Sequence, residues 1–174
     1  MSLGAQLRRG VQGGRRGSTA HGYHRLLVPL VDNAESERAI ELACRLASDT
    51  GASIVALVVI EVPALLPLDA HMLEEEAVAH GLLERAGATA DSFGIGLTPK
   101  IVRAREASTE IVRIARDKRA ELVVMGAARR SNASLAAPIF GPTVKHVLEF
   151  APCRVMLAAA NGSQAGTAAV RDAA

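Results

Sequence analysis

Along the chain, short apolar runs alternate with longer stretches in which apolar residues recur every three to four positions. Arg25 to Val31, with its Leu26-Leu27-Val28 run, reads as a buried strand. Ala34 to Thr50 places Ala39, Ile40, Ala43, Leu46 and Ala47 on one face of a helix that Gly51 ends. Ile54 to Ile60 is β-branched and apolar on both faces, a second strand, after which Pro63 and Pro67 interrupt the chain. Asp69 to Phe93 predicts a long helix; Glu74, Glu75, Glu76, Glu84 and Arg85 form its solvated side, and Gly81 and Gly87 weaken its middle. Leu97 to Arg103 predicts a third strand. Glu106 to Arg119 predicts a helix with Ser108 or Thr109 near its start and Arg113, Arg116, Lys118 and Arg119 toward its end, the polarity a helix dipole favours. Leu122 to Met125 predicts a fourth strand, ending at Gly126. After a looser segment, Gly141-Pro142 opens a last helix over Thr143 to Phe150, and Arg154 to Leu157 is the fifth strand. Strands apolar on both faces, alternating with helices, call for a parallel sheet covered on both sides. The expected fold is therefore α/β, a single doubly wound five-stranded parallel sheet with right-handed crossovers.

The pattern bounds one folded unit, 24 to 160, within 174 residues. Residues 1 to 22 hold six Gly, four Arg and little apolar material, and read as a flexible basic arm. Residues 161 to 174, rich in Gly, Ala and small polar residues, read as a disordered tail. The formal net charge is +2, but residues 1 to 24 contain four Arg and no acid, so the rest of the chain is net −2. The basic character sits in the arm. Only Tyr23, Phe93, Phe140 and Phe150 are aromatic, too few for base-stacking platforms, and nucleic acid is not an expected partner. Cys44 and Cys153 form neither a CxxC nor a Cys/His metal pattern; each reads as a small core hydrophobe. No run reaches the ~18 apolar residues of a membrane span, and the N-terminus lacks the apolar stretch of a signal peptide. These features point to a reducing, cytoplasmic setting.

Open parallel sheets bind ligands beyond the carboxyl ends of their strands, where strand order reverses. That rule selects Val31 to Asn33, Val59 to Pro63 and Gly126 to Gly141. The third segment holds a glycine after a strand, the Arg129-Arg130 pair, Ser131, Ser134, then Gly141 and Thr143 at a helix start. Free amides at such a start, together with arginine, suit phosphate. The same residues also fit a strand-end turn, solvated arginines and an ordinary helix boundary. No HExxH, GxSxG, GxGxxG or Walker A pattern occurs, so no metal site or catalytic centre is expected and the protein reads as no enzyme.

Leu26-Leu27-Val28-Pro29, Ser36-Glu37-Arg38-Ala39, Ala120 to Gly126, and Val147-Leu148 through Ala151-Pro152-Cys153-Arg154-Val155-Met156 together resemble the universal stress protein family over roughly 24 to 158. The resemblance implies strand order 3-2-1-4-5 and, in many members, a homodimer formed through the last strand, here the 153–158 edge. In one branch it implies ATP or another adenine nucleotide bound at the strand carboxyl ends. Carried onto this chain, the nucleotide-binding positions are Pro29, Val31, Asp32, Val59, Met125, Gly126, Arg129, Arg130, Gly141 and Thr143, with Val59 as an adenine wall. The phosphate motif is degenerate. Arg129 stands at the second glycine, eleven residues instead of nine precede Gly141, and Pro142 replaces a hydroxyl residue. The family's first-strand aspartate aligns with Val31, so Asp32 is displaced by one residue, a shift that turns a carboxylate to the other side of a strand. Val28 to Asn33 and Phe140 to Val144 with Pro152-Cys153 also look like the stress-protein domains appended to amino-acid permeases. In that alternative the chain is a cytosolic regulatory or docking domain of a transporter, with no nucleotide bound, and its basic arm is a linker at the membrane's cytoplasmic face.

Overall fold

In the computed structural model, which describes residues 22–127 and 140–159, strand β1 (Arg25–Pro29) is the centre of a five-stranded sheet. Helix α1 (Ala34–Thr50), β2 (Ser53–Glu61), α2 (Leu73–Ser92), β3 (Leu97–Ala104), α3 (Ala107–Asp117), β4 (Leu122–Gly126), α4 (Pro142–Phe150) and β5 (Arg154–Ala158) follow in order. The strands are all parallel and lie in the order β3-β2-β1-β4-β5. Strand order reverses at β1, whose neighbours β2 and β4 receive connections that run to opposite sides of the sheet.

The period-2 pattern of each central strand divides its residues between two cores. Leu26, Val28, Ile54, Ala56, Val58, Leu122 and Val124 pack with the apolar faces of α1 and α2. Leu27, Leu57, Val123 and Met125 pack with Ile111, Val112, Ile114 and Ala115 of α3 and with Val144 and Val147 of α4. Leu26, Leu27, Leu57 and Leu122 are fully buried, and truncating any of them to alanine costs about 2–5 kcal/mol. Cys44 is completely buried in the α1 core, and that burial, with Glu41 nearby, raises its thiol pKa.

Element boundaries differ from the sequence pattern where side chains from elsewhere intervene. β1 ends at Pro29 rather than Val31. The amide of Leu30 still donates to Leu57 O at 2.8 Å, but that of Val31 donates to Ser36 Oγ at 3.1 Å. A hydroxyl at the start of α1 thus takes over from the ladder. α2 begins at Leu73, not Asp69. The preceding residues form two turns, with Leu66 N–H donating to Pro63 O and Ala70 N–H to Pro67 O. Arg105 holds this loop by donating to Val62 O at 3.0 Å, Pro63 O at 2.5 Å and Leu66 O at 2.8 Å.

Candidate functional site

Because α1 and α2 cover one face of the sheet and α3 and α4 the other, the loops leaving β1 and β4 part and open a cavity between them. It encloses about 410 Å³, within the ~300–1,000 Å³ typical of small-molecule sites. Pro29, Val31, Leu57, Val59, Ile111 and Met125 give it apolar walls; Gly126, Gly141, Thr143 and Val144 line it on the β4 and α4 side, and Glu61 and Ala107 on the β2 and α3 side. Asn33 and Ser36 also face it.

Each boundary has a local cause. Asn33 caps α1, its Oδ1 accepting from Ser36 N–H at 2.8 Å, and Ser36, only 3% exposed, fixes the turn after β1 through Val31. On the opposite wall, no side chain of α3's own first turn caps the helix. Glu61, at the end of β2, does so instead, its Oε1 accepting from Ala107 N–H at 2.7 Å. At α4, Gly141 precedes Pro142 and no side chain caps the helix among the described residues. Proline lacks an N–H, so the amides of Thr143 and Val144 are the donors this helix start presents.

Gly126 has a different role from the one its sequence setting suggested. A Cβ built there would stand 2.5 Å from the Glu35 carbonyl carbon, 2.7 Å from the Ser36 amide nitrogen and 2.8 Å from Glu35 Cβ. The end of β4 therefore lies directly against the first turn of α1, and glycine is required for that approach.

Of the positions carried over from the family, Pro29, Val31, Val59, Met125, Gly126, Gly141 and Thr143 line the cavity. Asp32 does not. Its carboxylate accepts from Arg85 Nη2 at 2.7 Å, and it borders an adjoining groove that shares Val31, Val59 and Glu61 with the cavity and adds Glu74, Glu75 and Val78 of α2. The one-residue displacement read from the sequence has this outcome: the acid at 32 sits on the α2 side of the sheet. Arg129 and Arg130 lie outside the described residues. Leu30, Ser36, Leu57, Ala107, Ile111 and Val144 are cavity residues that sequence reasoning missed, while Asn33 and Glu61 fell within the selected loops without being singled out. Glu61 had the clearest signal, as an acid after the apolar run Ile54 to Ile60. Among the described lining residues Glu61 is the one charged group, and no cluster of three His, Cys, Asp or Glu side chains among the described residues could hold a metal ion.

Together, the sheet order and the cavity define a doubly wound α/β domain with a ligand-sized cleft at its topological switch point. The sequence profile of the universal stress protein family matches residues 22–173, and the chain belongs to that family. Solved structures show the same fold. A universal stress protein from Archaeoglobus fulgidus is similar with a TM-score of 0.63 at 18% identity, covering 78% of this chain and 98% of its own. The A. fulgidus universal stress protein in complex with dAMP aligns with a TM-score of 0.61 at 17% identity, covering 78% and 98%. A family member from Arabidopsis thaliana with AMP bound aligns with a TM-score of 0.59 at 18% identity, covering 86% and 99%. No curated protein matches the chain significantly. Among the described residues no helix is long and apolar enough to cross a membrane.

Proposed function

We propose that this chain is a non-enzymatic regulatory module of the universal stress protein type that binds an adenine nucleotide in the β1–β4 cleft. The observation that carries this reading is the 410 Å³ cavity itself, apolar along Val31, Leu57, Val59 and Ile111 and flanked by the uncapped start of α4. Apolar walls suit a purine face, and amides at a helix start suit phosphate. The AMP and dAMP complexes of structurally similar proteins lend support. Pro142 removes one donor from the helix start, so the arginines at 129 and 130 supply the cationic share of phosphate binding. Glu61, the one charged group among the described lining residues, sets the opposite end apart from the phosphate.

Regulation in this reading runs through the segment between β4 and α4, since a ligand shifts a partner interaction only by its differential affinity for two states. The homodimer belongs to the same proposal. β5 is an edge strand that pairs with β4 alone among the described residues, leaving its outer backbone as a joining edge. Isothermal titration of the full chain with AMP, ADP, ATP and cyclic AMP tests the nucleotide reading. Saturable heat with at least one of them at submillimolar concentration supports it; silence across all four at millimolar ligand overturns it.

A further inference from the structure

Eight large apolar side chains are exposed among the described residues, and six of them, Val31, Leu65, Leu66, Leu68, Leu73 and Val78, belong to the turn after β1, the β2–α2 connection and the start of α2. Leu65 is 97% exposed and Leu73 75%. Single exposed leucines are ordinary, but a concentration of this kind marks a surface that a partner covers. The connection is also fastened, since Arg105 donates to the carbonyls of Val62, Pro63 and Leu66, so the backbone that carries these leucines has a fixed course. The start of α2 further borders a groove of about 480 Å³, with Val31, Val59 and Val78 on its walls and Asp32, Glu61, Glu74 and Glu75 around them. Asp32 is paired with Arg85, and Glu61 holds the Ala107 amide. Glu74 and Glu75 form no ion pair among the described residues.

An apolar surface rimmed by carboxylates fits a segment that is both cationic and partly apolar. A two-fold contact with a second copy would set the same patch against itself, acid facing acid, and an anionic membrane surface would be repelled in the same way. The chain itself carries a matching segment. Residues 1–21 hold four Arg and no acid, with Arg8 and Arg9 flanked by Leu7 and Val11. Gly22 lies with Glu121 and Pro152 at the amino-terminal ends of β4 and β5, the opposite end of the sheet from the patch. The eight residues from Tyr23 to Val31 cover about 26 Å when extended. The thirteen residues from Gly22 back to Arg9 span up to about 43–47 Å, enough to run the length of the sheet and turn onto α2. The six residues back to Arg16 span only about 20–22 Å. Arg8 and Arg9 are therefore the pair within reach.

We infer that the apolar patch of the β2–α2 connection, with its acidic rim, is the docking site of this chain's own residues 7–11, Arg8 and Arg9 meeting Glu74 and Glu75 while Leu7 and Val11 lie against the exposed leucines. Because the groove shares Val31, Val59 and Glu61 with the cavity, the docked arm borders the cleft. Docking requires no nucleotide, so it stands or falls apart from the nucleotide-binding reading above.

Amide hydrogen exchange of the full chain, read by mass spectrometry at low ionic strength, tests the docking. An exposed ion pair shifts an equilibrium by up to about fivefold, and Arg8→Glu with Arg9→Glu replaces attraction by repulsion at two positions, so exchange over residues 62–72 is expected to quicken by about fivefold or more. Added salt should narrow the difference between wild type and variant, since it screens exposed charges. Glu74→Lys with Glu75→Lys opposes the dipole of α2 on its own account, so it is read in a cycle: combined with R8E/R9E it should exchange more slowly over 62–72 than it does alone. Should E74K/E75K fail to fold, the arm variant, whose substitutions lie outside the described elements, still decides. Equal exchange over 62–72 in wild type and R8E/R9E overturns the inference. Protection that grows with protein concentration assigns the patch to a second copy, and protection that appears only with vesicles of phosphatidylcholine and phosphatidylserine assigns it to a membrane; either result also overturns docking of the chain's own arm.

Discussion

Replacing Gly126 with alanine adds one methyl group at the place where β4 meets α1. Carbon atoms in contact normally stand about 3.5–4.0 Å apart, yet the new Cβ would be 2.5 Å from the Glu35 carbonyl carbon and 2.7 Å from the Ser36 amide nitrogen. Both neighbours are backbone, so no rotamer change relieves the overlap and the two elements must part by roughly 1 Å. Overpacking of this kind costs about 1–3 kcal/mol. Parting also stretches the Val31 N–H to Ser36 Oγ bond of 3.1 Å, whose loss would add about 1 kcal/mol. Urea unfolding followed by circular dichroism is the assay. The expected result for Gly126→Ala is a stability loss of about 1–4 kcal/mol, with an unchanged m-value. The corresponding fall in Tm is roughly 2–4 °C for each kcal/mol. A variant within about 0.5 kcal/mol of the wild type would mean that β4 and α1 do not approach as described, and Gly126 would then be free for a ligand-facing role.

Other substitutions probe the remaining features. Asp32→Asn breaks an exposed ion pair with Arg85 and is expected to change stability by less than about 1 kcal/mol and AMP affinity by less than twofold in calorimetry; a large loss of affinity would return Asp32 to the cleft. Asn33→Ala removes the α1 cap and should lower stability by about 1 kcal/mol in urea titration. Arg105→Ala releases three carbonyls of the 62–66 loop, so limited proteolysis should cut there faster than in the wild type, at nearly unchanged Tm. Glu110, hydrogen-bonded first of all by Arg113, titrates below the ordinary glutamate range. Because its folded pKa is depressed, its contribution is present above the unfolded value of about 4.3 and fades as pH falls through the folded one. Glu110→Gln should therefore show a shallower loss of stability than the wild type as pH is lowered below about 4.5.

The sheet and its helices were legible because they follow from local period: β-branched runs such as Ile54 to Ile60, and the Ala39-Ile40-Ala43 face of α1; the cleft walls Pro29, Val31, Val59 and Met125 were legible through the resemblance. The strand order was legible only through the resemblance, since nothing in the period of β1 says which strands flank it. What stayed hidden depends on contacts between distant residues. The cap of α3 comes from Glu61, 46 residues earlier, and not from the hydroxyls of Ser108 or Thr109 near the helix start. The start of α2 moved because Arg105, some 40 residues downstream, holds the preceding loop. Val31 left the strand because Ser36 claims its amide. Gly126 was visible as a glycine after a strand, but the α1 backbone it touches could not be read from a one-dimensional pattern.

That contact alters how the glycine should be weighed among relatives of this chain. Folding alone demands a residue without a side chain at the β4 terminus, irrespective of whether anything occupies the neighbouring space. A relative that keeps the equivalent of Gly126 has met an architectural requirement and has not thereby advertised a guest. Informative variation lies instead at positions free of such pressure, chiefly the residues opening α4.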